Sequence, residues 1–125
     1  RTRLRGLASR AGEDPYTAPD PLMAAIAKHE TGAYGDADLG DVSVNYLSSA
    51  DTTLGNSGSP TIDGKGNWVG VLFDGNYESM ATDWIFDESV IRSIHTDSSY
   101  VLWYLDQVVG AESLLDELGF GKPAN

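Results

Sequence analysis

The stretch Gly55-Asn56-Ser57-Gly58-Ser59-Pro60-Thr61-Ile62-Asp63-Gly64-Lys65-Gly66-Asn67-Trp68-Val69-Gly70-Val71-Leu72-Phe73 decides the reading of this chain. Its second part spells a β-hairpin: Pro60–Ile62 and Trp68–Phe73 are apolar strand runs, and Asp63–Asn67 between them is a Gly-containing turn. Its first part is a serine set between glycines. Glycine accepts φ > 0 and carries no Cβ, so Gly55 and Gly58 permit a tight turn from which the Ser57 hydroxyl stands out. In such a turn the N–H groups of Gly55 and Ser57 can point together at a developing oxyanion, with Asn56 pinning the loop. The string Gly-x-Ser-Gly alone describes a Gly/Ser-rich loop in any β protein equally well. The residues downstream of Gly58 narrow the choice, because a lipase-type nucleophile elbow requires a helix directly after the serine, and Pro60 and the hairpin supply none.

Working outward, Val42-Ser43-Val44-Asn45-Tyr46-Leu47 alternates as a half-buried strand. Before it, Asp20-Pro21 starts a helix with body LMAAIAKH, stopped by Gly32 and Gly35. Residues 1–10 alternate loosely and are expected to form one strand. Downstream, Thr82–Phe86 and Val90–His95 are short strand candidates around the turn Asp87-Glu88-Ser89. Asp97 caps a helix through Tyr100–Val109 that Gly110 ends, and a last short helix, Ala111–Leu118, precedes a loose tail. Trp68, Trp84 and Trp103 fall in strand or helix patterns and are expected in the core. The fold class is therefore mainly β with C-terminal α-helices. Residues 1–41 form a lead-in, 42–96 the β unit with the nucleophile loop, and 97–125 the closing helices and tail.

Composition excludes several functions. The 125 residues carry 8 basic and 19 acidic side chains, a net charge of −11. That opposes wrapping a nucleic-acid backbone or docking on an anionic membrane. Half of the basic residues (Arg1, Arg3, Arg5, Arg10) lie in the first ten positions, so the rest of the chain is strongly acidic. Cysteine is absent, which removes disulfides, thiolate metal sites and cysteine nucleophiles. No apolar run is long enough to span a bilayer. The acidic triplet Asp36-x-Asp38-x-x-Asp41 has Gly40 in fifth place and Leu47 in twelfth, which departs from a calcium loop, so it reads as an acidic turn. Neither a metal nor a cofactor is expected.

Three runs together carry a family resemblance. They are Val44–Pro60, Val69-Gly70-Val71-Leu72-Phe73-Asp74-Gly75-Asn76-Tyr77-Glu78-Ser79, and Arg92–Ile94 with Asp97–Asp106 (DSSYVLWYLD). Over about residues 42–118 the chain resembles the S46 family of dipeptidyl peptidases. This resemblance implies a chymotrypsin-like fold, here part of the second β-barrel, with the strand Trp68–Phe73 pairing to substrate. It implies Ser57 as nucleophile and the N–H groups of Gly55 and Ser57 as oxyanion hole. It further implies Asp74 as a holder of the substrate's free α-amino group, and Gly75 as the position that sets P1 choice. Arg at that position accompanies cleavage after Asp or Glu in the family. Gly75 therefore implies an aliphatic or aromatic P1 residue. The family is exported, which implies a periplasmic or cell-surface protein. Leu54 departs from the family's usual Gly at the start of the loop, and His95 stands where an apolar or amide residue is common.

A serine needs a general base oriented by a third group. The chain has two histidines, His29 and His95, and neither falls where the family's base would stand. The chain also begins at Arg1, without Met or the apolar stretch of a signal peptide. It therefore reads as the C-terminal portion of a serine-type dipeptidyl peptidase, with the triad's His and Asp elsewhere and no activity of its own. Its expected partners are a peptide substrate and the remainder of the peptidase chain, or a second copy, covering the barrel. The rival reading is a peptide-binding module that keeps the cleft and has lost the base.

Overall fold

A computed structural model describes residues 1–81 and 84–120. Five antiparallel strands form its frame: β1 (Thr2–Arg3), β2 (Ser43–Ser48), β3 (Pro60–Ile62), β4 (Trp68–Gly75) and β5 (Ser93–Asp97). Their order in the sheet is β1-β2-β5-β4-β3, with β1 and β3 as its edges. Four α-helices accompany it: α1 (Leu4–Ala8), α2 (Asp20–Ala27), α3 (Ser98–Tyr104) and α4 (Glu112–Glu117).

The helices gather at one end of the sheet. Trp103 of α3 is fully buried against Leu4 of α1, Leu22, Ala25 and Ile26 of α2, and Val42 and Val44 at the start of β2. Burying an indole removes a large apolar surface from water, and its polar N–H then needs a partner. The partner is the Glu30 carbonyl, 2.9 Å away. Asp97 caps α3 as its spacing indicates, accepting from the Ser99 N–H at 3.0 Å. The helix runs on through a wider π turn, Leu105–Val109, and stops at Gly110 in the left-handed conformation (φ 68°). The loop around Ser57 joins β2 to β3, the edge strand opposite β1.

The hairpin forms as its sequence indicates. Pro60 stands opposite Val71 and Thr61 opposite Gly70. Asp63 organises the turn, its Oδ1 accepting from the N–H groups of Lys65 (2.8 Å) and Asn67 (2.9 Å).

Four expectations are corrected. Residues 1–10 do not form one strand: pairing ends at Arg3, and Leu4, Leu7 and Ala8 turn helical because that spacing puts all three against the core. The strand expected over Val90–His95 starts at Ser93 and extends to Asp97, with Ile91 buried in the turn before it. Of the candidate Thr82–Phe86, residues 82 and 83 lie outside the described residues, and 84–86 are not strand. Trp84 is 88% exposed, not core, since no element of the described chain folds over it.

The clustered arginines find their use here. Arg1 pairs with Asp36 (2.8 Å), and Arg5 reaches Asp41 through Nε (3.2 Å) and its own N–H (3.1 Å). Asp36 also accepts from the N–H groups of Asp38 and Leu39. These carboxylates are engaged by arginine and backbone, and no metal-binding group occurs among the described residues.

Candidate active site

The loop before β3 is two consecutive turns. The Asn56 N–H donates to the Thr53 carbonyl (3.3 Å) and the Ser59 N–H to the Asn56 carbonyl (3.0 Å). Glycine holds the third place of each turn: Gly55 has φ 95° and Gly58 φ 91°. A residue with a Cβ pays about 1–2 kcal/mol for that left-handed geometry. Asn56 does pin the loop, its Oδ1 accepting from the Thr53 N–H at 2.9 Å. Two bonds stitch the loop to β4, from the Gly58 N–H to the Leu72 carbonyl (2.7 Å) and from the Leu72 N–H to the Ser59 carbonyl (3.0 Å).

Ser57 rides at the surface of this double turn. Its hydroxyl donates to the Phe73 carbonyl over a long 3.3 Å. The N–H groups of Gly55 and Ser57 meet no acceptor among the described residues. Beside Ser57 opens a cavity of ≈ 360 Å³ lined by Thr52, Thr53, Leu54, Leu72, Asp74, Gly75, Asn76, Tyr77, Ser79 and Met80. Ser57, Asp74 and Gly75 therefore meet at one site, and among the described residues no Lys, Arg or His lines it. The Asp74 Oδ1 accepts from the Gly75 N–H at 2.8 Å, and no cation pairs with this carboxylate among the described residues.

A β-bulge aims Asp74. Leu72 faces His95 on β5, and a regular ladder would then set Asp74 opposite Ser93. Instead Asp74 faces Ile94 and Gly75 faces Ser93, with Phe73 as the extra residue. Paired residues share a face, so the bulge moves Asp74 off the buried face that carries Leu72, Ser93 and His95. The strand Trp68–Phe73, expected to pair with substrate, has neighbours on both sides for most of its length. Up to Leu72, β4 is flanked by β5 on one side and by β3 or Ser59 on the other. Among the described residues, Phe73–Gly75 has no strand neighbour on the Ser57 side. The rim is apolar and uncovered, with Leu54 95% and Met80 78% exposed.

Neither histidine serves Ser57. His29 lies beyond the end of α2, at φ 53°, near Leu4 and Trp103. His95 is 2% exposed and joins three strands. Its Nε2 lies 2.7 Å from Ser48 Oγ on β2 and its Nδ1 2.8 Å from Thr61 Oγ1 on β3. Its ring stacks on the cross-strand Tyr46, with centroids 4.8 Å apart. Next to it, Ser93 Oγ meets Thr52 Oγ1 at 2.6 Å and donates to the Ala50 carbonyl at 2.8 Å. A polar seam thus runs under the sheet to the cavity wall. Sequence reasoning missed it, although Ser93 and His95 at i, i+2 in a strand are its trace.

Burial lowers the pKa of His95 below 6.5. The folded chain keeps the ring neutral while the unfolded chain protonates it, so the unfolded state binds more protons below that pH. The stabilising contribution is present above pH 6.5 and fades as pH falls toward the depressed folded value. Melting temperatures from pH 8 to 5 are expected to drop more steeply for the native sequence than for His95→Gln. Parallel curves would contradict this.

The family model described as Peptidase S46 matches residues 1–120. The Asp/Glu-specific dipeptidyl-peptidase of Shewanella putrefaciens is 40% identical over 139 aligned residues, covering 94% of this chain and 19% of the relative. Dipeptidyl-peptidase 7 of Capnocytophaga gingivalis is 41% identical over 109 residues, covering 87% and 15%. Among solved structures, Porphyromonas endodontalis DPP11 with the dipeptide Arg-Asp is similar at a TM-score of 0.87 and 30% identity, covering 94% of this chain and 17% of that one. The chain spans less than a fifth of the length of these relatives.

Proposed function

Because the chain belongs to the peptidase S46 family, we propose that it is the C-terminal, nucleophile-bearing portion of a serine-type dipeptidyl peptidase. In this reading the sheet is part of a chymotrypsin-like second barrel, and residues 42–96 are its catalytic portion. One observation carries the proposal. Ser57 stands exposed on a double glycine turn, its own N–H and that of Gly55 unengaged among the described residues, at a cavity that Asp74 and Gly75 also line.

Ser57 Oγ attacks the carbonyl of the second peptide bond of an oligopeptide. The Gly55 and Ser57 N–H groups hold the oxyanion of the tetrahedral intermediate. A base from another part of the S46 polypeptide takes the hydroxyl proton and passes it to the leaving amine. Water then releases the dipeptide from the acyl-enzyme. The Asp74 carboxylate holds the substrate's α-ammonium, which sets the distance from the chain end to the scissile bond. The open edge Phe73–Gly75 pairs with the substrate backbone. The remainder of the peptidase, or a second copy, covers the apolar rim, and the protein works in the periplasm or at the cell surface.

The P1 residue is apolar. The Shewanella putrefaciens relative is named for Asp/Glu specificity, yet among the described residues no cation lines this cavity to receive a carboxylate. Burying a carboxylate without a partner is costly.

Asp74→Asn tests the amine-holding role in the complete protein. An ion-paired hydrogen bond is worth about 1.5–3 kcal/mol, so kcat/KM on free dipeptidyl substrates is expected to fall about 10- to 100-fold. An N-acetylated substrate, which has no ammonium to lose, should be far less affected. Equal effects on both would remove Asp74 from that role.

A further inference from the structure

Gly75 is a glycine for a reason outside its own backbone. Its φ is not left-handed, so the chain conformation there admits any L residue. The obstacle is Ser79. A Cβ built on Gly75 would lie 2.1 Å from Ser79 Oγ and 2.8 Å from Ser79 Cβ. The next atom, the Arg92 carbonyl oxygen, is at an ordinary contact distance of 3.7 Å. Rotating the hydroxyl relieves the first clash. Only moving or removing Ser79 Cβ relieves the second.

Ser79 is held in place. It sits in the 3₁₀ turn Tyr77–Ala81, donating to the Asn76 carbonyl through both its N–H (3.0 Å) and its hydroxyl (2.6 Å). Asn76 is in turn strapped to the segment before β5. Its N–H donates to the Arg92 carbonyl and its Oδ1 accepts from the Arg92 N–H, at 2.9 Å each, and its Nδ2 donates to the Val90 carbonyl at 2.8 Å. The turn is thus tied to the same segment that continues into the sheet. A shift of Ser79 would break several of these bonds together.

We propose that Ser79 is a specificity-determining residue of the Ser57 cavity. By filling the space beside Gly75 it bars any side chain, and so any cation, from position 75. Gly75 and Ser79 then act as one unit that keeps the P1 cavity uncharged. This rests on the reading of that cavity as the P1 pocket. It goes beyond that reading in assigning the choice to a pair, and it means that arginine at 75 cannot by itself install acidic specificity here.

The test uses the complete S46 polypeptide that carries this chain, as Gly75→Arg alone and combined with Ser79→Ala or Ser79→Gly. The readout is kcat/KM on dipeptidyl substrates ending in Glu against those ending in Leu. The single variant is expected to lose at least tenfold on Leu without gaining on Glu. Adding Ser79→Gly should move the Glu-to-Leu ratio at least tenfold toward Glu. Ser79→Ala should recover less, because it keeps the Cβ. If Gly75→Arg alone shifts the ratio as far as the double variant, Ser79 has no such role while the P1 reading stands. If the Gly double variant turns over well with an unchanged Leu preference, position 75 does not face P1 and the underlying reading falls. Should the arginine variants fail to fold or to turn over, thermal melts of Gly75→Ala with and without Ser79→Gly decide the matter. Alanine should lower the melting temperature by several degrees with Ser79 present and much less without it. Equal losses in both backgrounds would overturn the proposal.

Discussion

Ser57→Ala in the complete protein is expected to reduce dipeptide release by about four orders of magnitude or more, the loss typical when a serine nucleophile is removed. Dipeptide binding should survive, because the cavity, Asp74 and the β4 edge do not depend on the hydroxyl. A dipeptidyl-naphthylamide assay measures the first, and calorimetry with product dipeptide the second. The 125-residue chain alone is expected to show no turnover even with Ser57 intact. Its hydroxyl rests on the Phe73 carbonyl, and both imidazoles are placed elsewhere. Turnover by the isolated chain that disappears in Ser57→Ala would refute this. A complete protein that binds dipeptides but resists fluorophosphonate at Ser57 would instead be a peptide-binding module.

Trp103→Ala is expected to remove most of the chain's stability. The side chain is 0% exposed and touches residues from α1, α2 and β2. Truncating a buried Trp costs about 3–5 kcal/mol through lost burial and the cavity left behind. The Glu30 carbonyl also loses its 2.9 Å donor, a smaller loss because Glu30 is exposed and water can take the place of the indole N–H. Domains are stable by only about 5–15 kcal/mol in all. Denaturant melts should show little or no folded baseline for this variant. Trp103→Phe should fall between, since it keeps most of the volume but loses part of the ring and the hydrogen bond. A loss below about 1 kcal/mol for Trp103→Ala would mean that the helices hold together without it.

The turns around Ser57 were legible because their chemistry is local. Ser57 between Gly55 and Gly58 announces a turn because φ > 0 excludes most other residues, and both glycines adopt it. Asn56 announces its own role, since a short amide can reach a backbone N–H three residues away. The hairpin was legible for the same reason, Asp63 capping its turn from within. Asp74 was named from the family resemblance, but its orientation was not readable. Strand alternation would have put it on the buried face with Leu72, and the bulge at Phe73 turns it out. Nor was the value of Gly75 visible, because the atoms that forbid a Cβ belong to Ser79, four residues on in a different element.

His95 and Trp84 mark the same boundary from opposite sides. A lone histidine in a strand carries no sign of its partners, and Ser48 and Thr61 come from strands that precede it by more than thirty residues. Trp84 is an apolar residue in an apolar pattern, yet burial depends on what packs above it, and it stays 88% exposed.

By itself, then, the sequence determined the turns, the hairpin, the capped C-terminal helix and the identity of the exposed serine. All are set by interactions within a few residues, whose energies the side chains carry locally. Only the tertiary structure decided which face Asp74 takes, why position 75 must be empty, what the N-terminal arginines pair with, and that His95 is a neutral clamp and not a base. Each of those depends on two segments distant in sequence arriving at one place, and sheet register, which brings them together, is a property of the whole fold.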